Sequence, residues 1–180
     1  MNEHIEIERQ LISILLSSKD AVKDWLVSPV KPSYFDESHR HILGGIVWAN
    51  SNDVLLTRNS YKEYLSVAKK LTPRETAAQA SVYTTCLMQA AKEDDFPMLI
   101  EKVKLAYVRR KTAQFLGEYR KIADKDGDLA ANAALIGNLQ GLEADTANSD
   151  ILLEDVGEAD TKAKFLEALY RRKNNPDVRL

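Results

Sequence analysis

The chain has 180 residues, 44% of them hydrophobic, and a formal net charge of −2 at neutral pH. This length suits one domain with a modest core plus an appendage, and the balanced charge gives no overall case for nucleic-acid binding. Its single cysteine, Cys86, excludes an internal disulfide and is expected to be a reduced thiol. No apolar run approaches the ~20 residues of a transmembrane helix, and the acidic start does not resemble a signal peptide. A cytoplasmic protein without a membrane contact is predicted.

No pattern in the sequence is typical of a catalytic or cofactor site. The glycines never take the phosphate-binding spacings Gly-x-x-x-x-Gly-Lys or Gly-x-Gly-x-x-Gly, and neither His-Glu-x-x-His nor Cys-x-x-Cys occurs. His39 and His41 are two positions apart, so on a helix they face different directions and cannot share a metal ion. We therefore predict no catalytic residue, no cofactor and no metal in this chain, and a structural role for both histidines.

The first half of the chain shows helical periodicity. An amphipathic first helix and a shorter second one are followed by Ser28-Pro29-Val30-Lys31-Pro32, which cannot continue a helix. Asp36 or Ser38 can cap a third helix. Gly44-Gly45 inside that helix costs ~1 kcal/mol per glycine relative to alanine, which predicts close packing against another helix.

Two further helix starts follow. Thr57 is a candidate cap for the fourth helix, and Thr72-Pro73-Arg74-Glu75 combines a cap, a proline at the first helical position and a capping box. The helix that it opens is expected to run to about Gln89. Alternating strand patterns do not occur, so we predict an all-α fold.

The second half predicts a long antiparallel helical hairpin. One helix spans about 97–123, Lys125-Asp126-Gly127-Asp128 makes a tight turn, and a second helix follows. The predicted organisation is a compact helical head (1–93), the hairpin (94–145), and a linker with a C-terminal linker helix (146–180). Apolar residues lie around more than one face of the hairpin, which predicts self-association; they are Val108, Phe115, Leu116, Tyr119, Ile122, Ile136, Leu139 and Leu142.

Charge separates along this half. Residues 97–123 hold seven basic and two acidic residues, a net of +5, whereas 124–160 hold one basic and ten acidic residues, a net of −9. The basic helix Lys102–Lys121 could contact nucleic acid, as in a small all-α DNA-binding or loader-like adaptor. Pairing with acidic surface nearby is favoured over this alternative, because no exposed aromatic residues are expected to alternate with the basic ones in this stretch.

The last predicted helix, at about 161–173, carries one apolar stripe and ends at Asn174-Asn175-Pro176. A helix this short is marginal by itself and must dock. Docking on its own domain and docking on another subunit or domain are both open. The stripe consists of Phe165, Leu166, Leu169 and Tyr170.

Three blocks stand in a characteristic order: Glu8-Arg9-Gln10-Leu11, then Tyr34-Phe35 with His39-Arg40 and Ile42, then Val108-Arg109-Arg110-Lys111. In order and spacing they resemble the N-terminal domain of DnaB-type replicative DNA helicases, and the resemblance extends over most of the chain. The second block matches the family pattern most specifically. The family's Gly-Gly and Tyr-Leu after the fourth helix do not occur in residues 72–88, which indicates a divergent member, such as one from a bacteriophage.

The resemblance implies a non-catalytic collar of a hexameric, ATP-dependent 5′–3′ helicase, built as a trimer of dimers in the primosome. It implies docking of the primase C-terminal domain and, in some systems, of a helicase loader, with little direct DNA binding by this chain. ATP and Mg²⁺ would be used by the parent's motor domain rather than here. The linker helix would pack on a neighbouring motor domain, in the cytoplasm of a bacterium or of a phage-infected cell.

Overall fold

The computed structural model describes residues 3–146, and every regular element in this range is helical. The predicted all-α fold is confirmed. Short 3₁₀ turns at Pro32–Tyr34 and Glu93–Asp95 connect the helices, and a π-helical segment, Tyr64–Ala68, directly continues the fourth one. The seven α-helices of the described range are α1 (Glu3–Ser17), α2 (Lys19–Val27), α3 (Glu37–Ser51), α4 (Arg58–Glu63), α5 (Pro73–Leu87), α6 (Phe96–Asp126) and α7 (Asp128–Thr146).

Side-chain caps fix where the helices of the first half begin. The Asp36 side chain accepts from the Ser38 amide and caps α3, which settles the choice between these two residues in favour of Asp36. Thr57 caps α4, and Thr72 with Glu75 forms the predicted capping box of α5. These caps satisfy amides that the first turn of a helix leaves without a backbone partner.

The chain divides into two compact units, Met1–Ala113 and Gln114–Leu180. The core of the first unit is centred on α1, which packs against α2, α3 and α5. Leu11, Ile12 and Leu15 of α1 are buried. Full burial of a large aliphatic side chain contributes ~1.5–3 kcal/mol, so this face is a main source of the unit's stability.

Close packing around the glycine pair of α3 is confirmed. A Cβ atom added at Gly44 would lie 2.5 Å from Oη of Tyr64, and one at Gly45 would lie 3.0 Å from Cδ2 of Tyr61. The two tyrosine rings are buried and stack with centroids 6.3 Å apart. The missing side chains therefore make room for aromatic rings of α4 and its π-helical continuation.

The first half of α6 belongs to the core of the first unit. Leu99, Val103 and Val108 are buried, and the unit extends to Ala113. From the sequence, the helical head was predicted to end at residue 93, just before the long helix of the hairpin. The first compact unit extends through this half of α6, whose buried side chains pack in its core.

The second unit is described as far as Thr146. Between α6 and α7, Gly127 has φ +86°, a left-handed conformation that glycine adopts without steric cost. Asn138 Nδ2 lies 3.5 Å from Oε2 of Glu118, so these positions on the two helices come close together. The complete antiparallel hairpin stays a prediction. The predicted linker and the docking stripe of Phe165, Leu166, Leu169 and Tyr170 lie outside the described residues.

Candidate functional site

A buried ionic cluster is built around Glu8 of α1, whose side chain is completely inaccessible to solvent. One carboxylate oxygen, Oε2, accepts from the Asp36 amide at 2.8 Å and from His39 Nδ1 at 2.7 Å. The other, Oε1, accepts from Nη1 of Arg110 at 2.6 Å. A carboxylate only accepts hydrogen bonds, so the proton of His39 is assigned to Nδ1. Three segments far apart in sequence thus meet at one side chain.

Arg110 extends the cluster to the 3₁₀ turn before α3. Its second amino group donates to the carbonyl oxygen of Tyr34. The Tyr34 ring stacks on Tyr107, one turn earlier on α6, with centroids 4.2 Å apart and planes within 8°. Arg40 donates from Nε to the carbonyl oxygen of Phe35 at 3.0 Å. Cation, ring and backbone contacts therefore fasten α6 to the segment that enters α3.

The charges of the cluster also affect the pKa of the nearby Asp36 carboxyl group. Partial burial by itself would raise the pKa of this carboxyl group. Hydrogen bonds from the Ser38 hydroxyl and amide, with the charges of His39 and Arg110, outweigh burial and lower the pKa of Asp36 below its ordinary value. The ionised cap and the buried cluster therefore support each other at neutral pH.

Chemically, this arrangement is suited to holding elements together. Both oxygens of Glu8 and Nδ1 of His39 are engaged inside the protein, and Phe35 next to them is fully buried. Removing one partner of such a buried pair typically costs ~3–5 kcal/mol, because the other charge is left uncompensated. The structural role predicted for His39 agrees with this geometry.

The two histidines for which a structural role was predicted differ in burial and lie on different sides of α3. His39 is buried against Glu8, whereas His41 is half-buried on another side of α3. Within residues 3–146, no group of three or more His, Cys, Asp or Glu side chains could hold a metal ion. Burial raises the pKa of the Cys86 thiol to about 12, so the thiol is protonated and weakly nucleophilic at neutral pH.

Several cationic side chains of the basic helix are engaged in contacts within the protein. Arg110 is bound in the cluster, and Lys104 is buried, with Nζ 3.6 Å from Oε1 of Glu101. Nζ of Lys111 lies 6.0 Å from the centroid of the Tyr107 ring. These contacts reduce the cationic surface that a nucleic acid could reach along this helix.

The residues predicted for self-association fall into three groups by exposure. Val108 and Leu142 are buried within the chain, so they face its interior. Leu116 and Ile136 are 47% and 43% exposed. The half-buried members are Phe115, Tyr119, Ile122 and Leu139.

Sequence reasoning missed the roles of Glu8 and Arg110. A usable signal was present, since Glu8 precedes Leu11 and Leu15 at helical spacing and so falls on the apolar face of α1. A carboxylate at a core position requires a buried partner. The sequence could not identify Arg110 as that partner, because the two residues are 102 positions apart.

Comparisons with protein-family models, curated proteins and solved structures gave no match to this chain. No helix within residues 3–146 is long and apolar enough to cross a membrane.

Proposed function

We propose that this chain is the non-catalytic N-terminal collar of a DnaB-type replicative helicase, which mediates subunit assembly and docks a primase or a helicase loader. One observation carries the proposal. The three blocks on which the resemblance depends supply Glu8, then Tyr34 and His39, and then Arg110, and these residues form a single buried cluster. Blocks that matched the family pattern only by chance would not be expected to contact one another in the fold.

The cluster also suggests a structural role for the three blocks, which is to hold distant segments of the chain together. It joins α1, the entry to α3 and the first half of α6 through charge-assisted hydrogen bonds, which are shorter and stronger than neutral ones. A collar must keep its shape while a motor works beneath it. A buried ionic tie between distant segments supplies that rigidity.

Assembly is assigned to the second unit. Leu116 and Ile136 expose large aliphatic side chains there, and Leu129 is 84% exposed. Contact with a second copy would remove this apolar surface from water. In this proposal, primase or loader docks on the assembled collar, and ATP and Mg²⁺ are used by the motor domain of the parent helicase.

Sedimentation velocity of the chain across a concentration series tests the proposal. We expect a dimer or a larger multiple of the dimer at micromolar concentration. A monomer at every concentration would contradict a collar function.

A gel-mobility assay separates the collar from the DNA-binding adaptor. A collar should bind duplex and single-stranded DNA weakly even at low salt. An adaptor that uses the basic helix should bind tightly, and its affinity should fall steeply as salt rises. The second result would replace the collar with the adaptor.

A further inference from the structure

A groove on the first unit combines apolar walls with carboxylates. It lies between α2 and the segment that opens α6, and its volume is about 330 Å³. This volume is at the lower end of the ~300–1,000 Å³ of ligand pockets, enough for one or two side chains of a peptide. Its lining is half apolar and half acidic, namely Ala21, Phe96 and Pro97 with Asp24, Glu93 and Asp94.

The carboxylates of the groove form no close ion pair within the described part of the chain, although the charge of Asp24 also acts on the neighbouring Lys23. Among residues 3–146, Asp24, Glu93 and Asp94 form no ion pair, whereas Asp20, one turn before Asp24, is paired with a lysine at 2.7 Å. Glu93 is oriented by the Ser18 hydroxyl, with Oγ 2.5 Å from Oε1. All three carboxylates are exposed at the mouth of the groove. Three like charges around one opening create a negative potential that attracts a cation.

The apolar half defines which cation fits. Phe96 is half-buried beside the exposed Pro97, and the buried Ala21 closes the α2 side. Lysine and arginine carry an aliphatic stem behind a cationic head, so they can contact both halves at once. A nucleic acid carries the wrong charge for this groove.

We propose that this groove binds a lysine- or arginine-containing segment of a partner protein. The cationic head lies among Asp24, Glu93 and Asp94, and the aliphatic stem or an apolar neighbour contacts Phe96 and Pro97. The inference concerns the first unit only, and it does not depend on whether the chain forms a collar.

Fluorescence anisotropy with a labelled peptide of alternating lysine and leucine pairs tests the groove. The full chain should bind it, and Asp24→Asn with Asp94→Asn should weaken binding about five- to tenfold at physiological ionic strength. The control, Glu3→Gln with Glu63→Gln, removes two exposed carboxylates elsewhere on the same unit. It should stay within about twofold of the unaltered chain, since screening leaves distant charges little effect.

Amide chemical shifts of the unaltered chain give a second measurement that needs no variant. Addition of the lysine peptide should shift the resonances of residues 20–25 and 92–98 first. Absence of peptide binding, equal losses in both double variants, or shifts spread over the whole acidic surface would each overturn the proposal. A peptide with glutamate in place of lysine should not bind.

Discussion

Glu8 illustrates how one residue constrains the rest of the first unit. Its carboxylate is fully buried, so its desolvation must be offset by partners, and the chain supplies them from two distant segments, one with Asp36 and His39 and the other with Arg110. Buried ion pairs are weak evidence for extra stability compared with a hydrophobic core, but breaking one is costly. Removal of a single partner of Glu8 is therefore expected to destabilise the fold.

Arg110→Ala should lower the free energy of unfolding by about 3 kcal/mol, because it leaves the Glu8 carboxylate buried without its cation. The matched control is Arg120→Ala on the exposed side of α6, expected to change the unfolding free energy by less than about 0.5 kcal/mol. Urea denaturation followed by circular dichroism measures both. Equal stability of the two variants would show that the cluster is not a structural tie.

The lowered pKa of Asp36 predicts that the free energy of unfolding depends on pH. Its pKa is lower in the folded protein than the ordinary value of 3.8, so ionisation stabilises the fold above that value. This contribution should be lost as the pH falls from about 5 towards 2, when the carboxyl group becomes protonated. Asp36→Asn keeps a good helix cap but cannot titrate, so it is the matched control.

The stability difference between the original chain and Asp36→Asn should therefore shrink as the medium becomes acidic. Guanidinium denaturation at a series of pH values measures it. A difference that stayed constant from neutral to acidic pH would mean that Asp36 has an ordinary pKa in the fold.

At the scale of elements, the sequence predicted what depends on local pattern. Thr57 and Thr72-Pro73-Arg74-Glu75 start helices where expected, and Gly127 stands at the predicted turn. The π-helical segment Tyr64–Ala68 was not predicted, because its apolar spacing is indistinguishable from that of an α-helix. The long-range partners of Glu8 were not predictable either, since helical periodicity identifies a buried face but not what covers it.

The glycines of two helices predict opposite effects of one substitution. Gly44→Ala should destabilise the fold by about 1 kcal/mol, because overpacking against Tyr64 exceeds the gain in helix propensity. Tyr64 cannot easily move away, since it is buried and its ring packs against the rings of Trp48 and Tyr61. Gly117→Ala in α6 meets nothing within 4 Å and should stabilise by about 0.5–1 kcal/mol. Thermal melts of both variants give the two signs, and a gain for Gly44→Ala would show that the packing there is loose.

At the scale of the whole molecule, the two units differ in what they bury and what they expose. The first unit is a helical core closed by the Glu8 cluster. The second exposes Leu116, Leu129 and Ile136, which a single chain leaves in water. Apolar positions on more than one face of a helix are typical of a helix that packs against several neighbours. We therefore propose that the chain self-associates through its second unit.

The most direct test compares two double variants by sedimentation velocity. The first, Leu116→Glu with Ile136→Glu, places charges on the exposed apolar surface. The charge-matched control, Ala113→Glu with Gln140→Glu, alters exposed positions outside the predicted set. We predict that the first variant sediments as a monomer, with unchanged helical content, at concentrations where the control and the original chain form dimers or larger assemblies. Identical assembly of both variants, or a monomeric original chain, would contradict the claim.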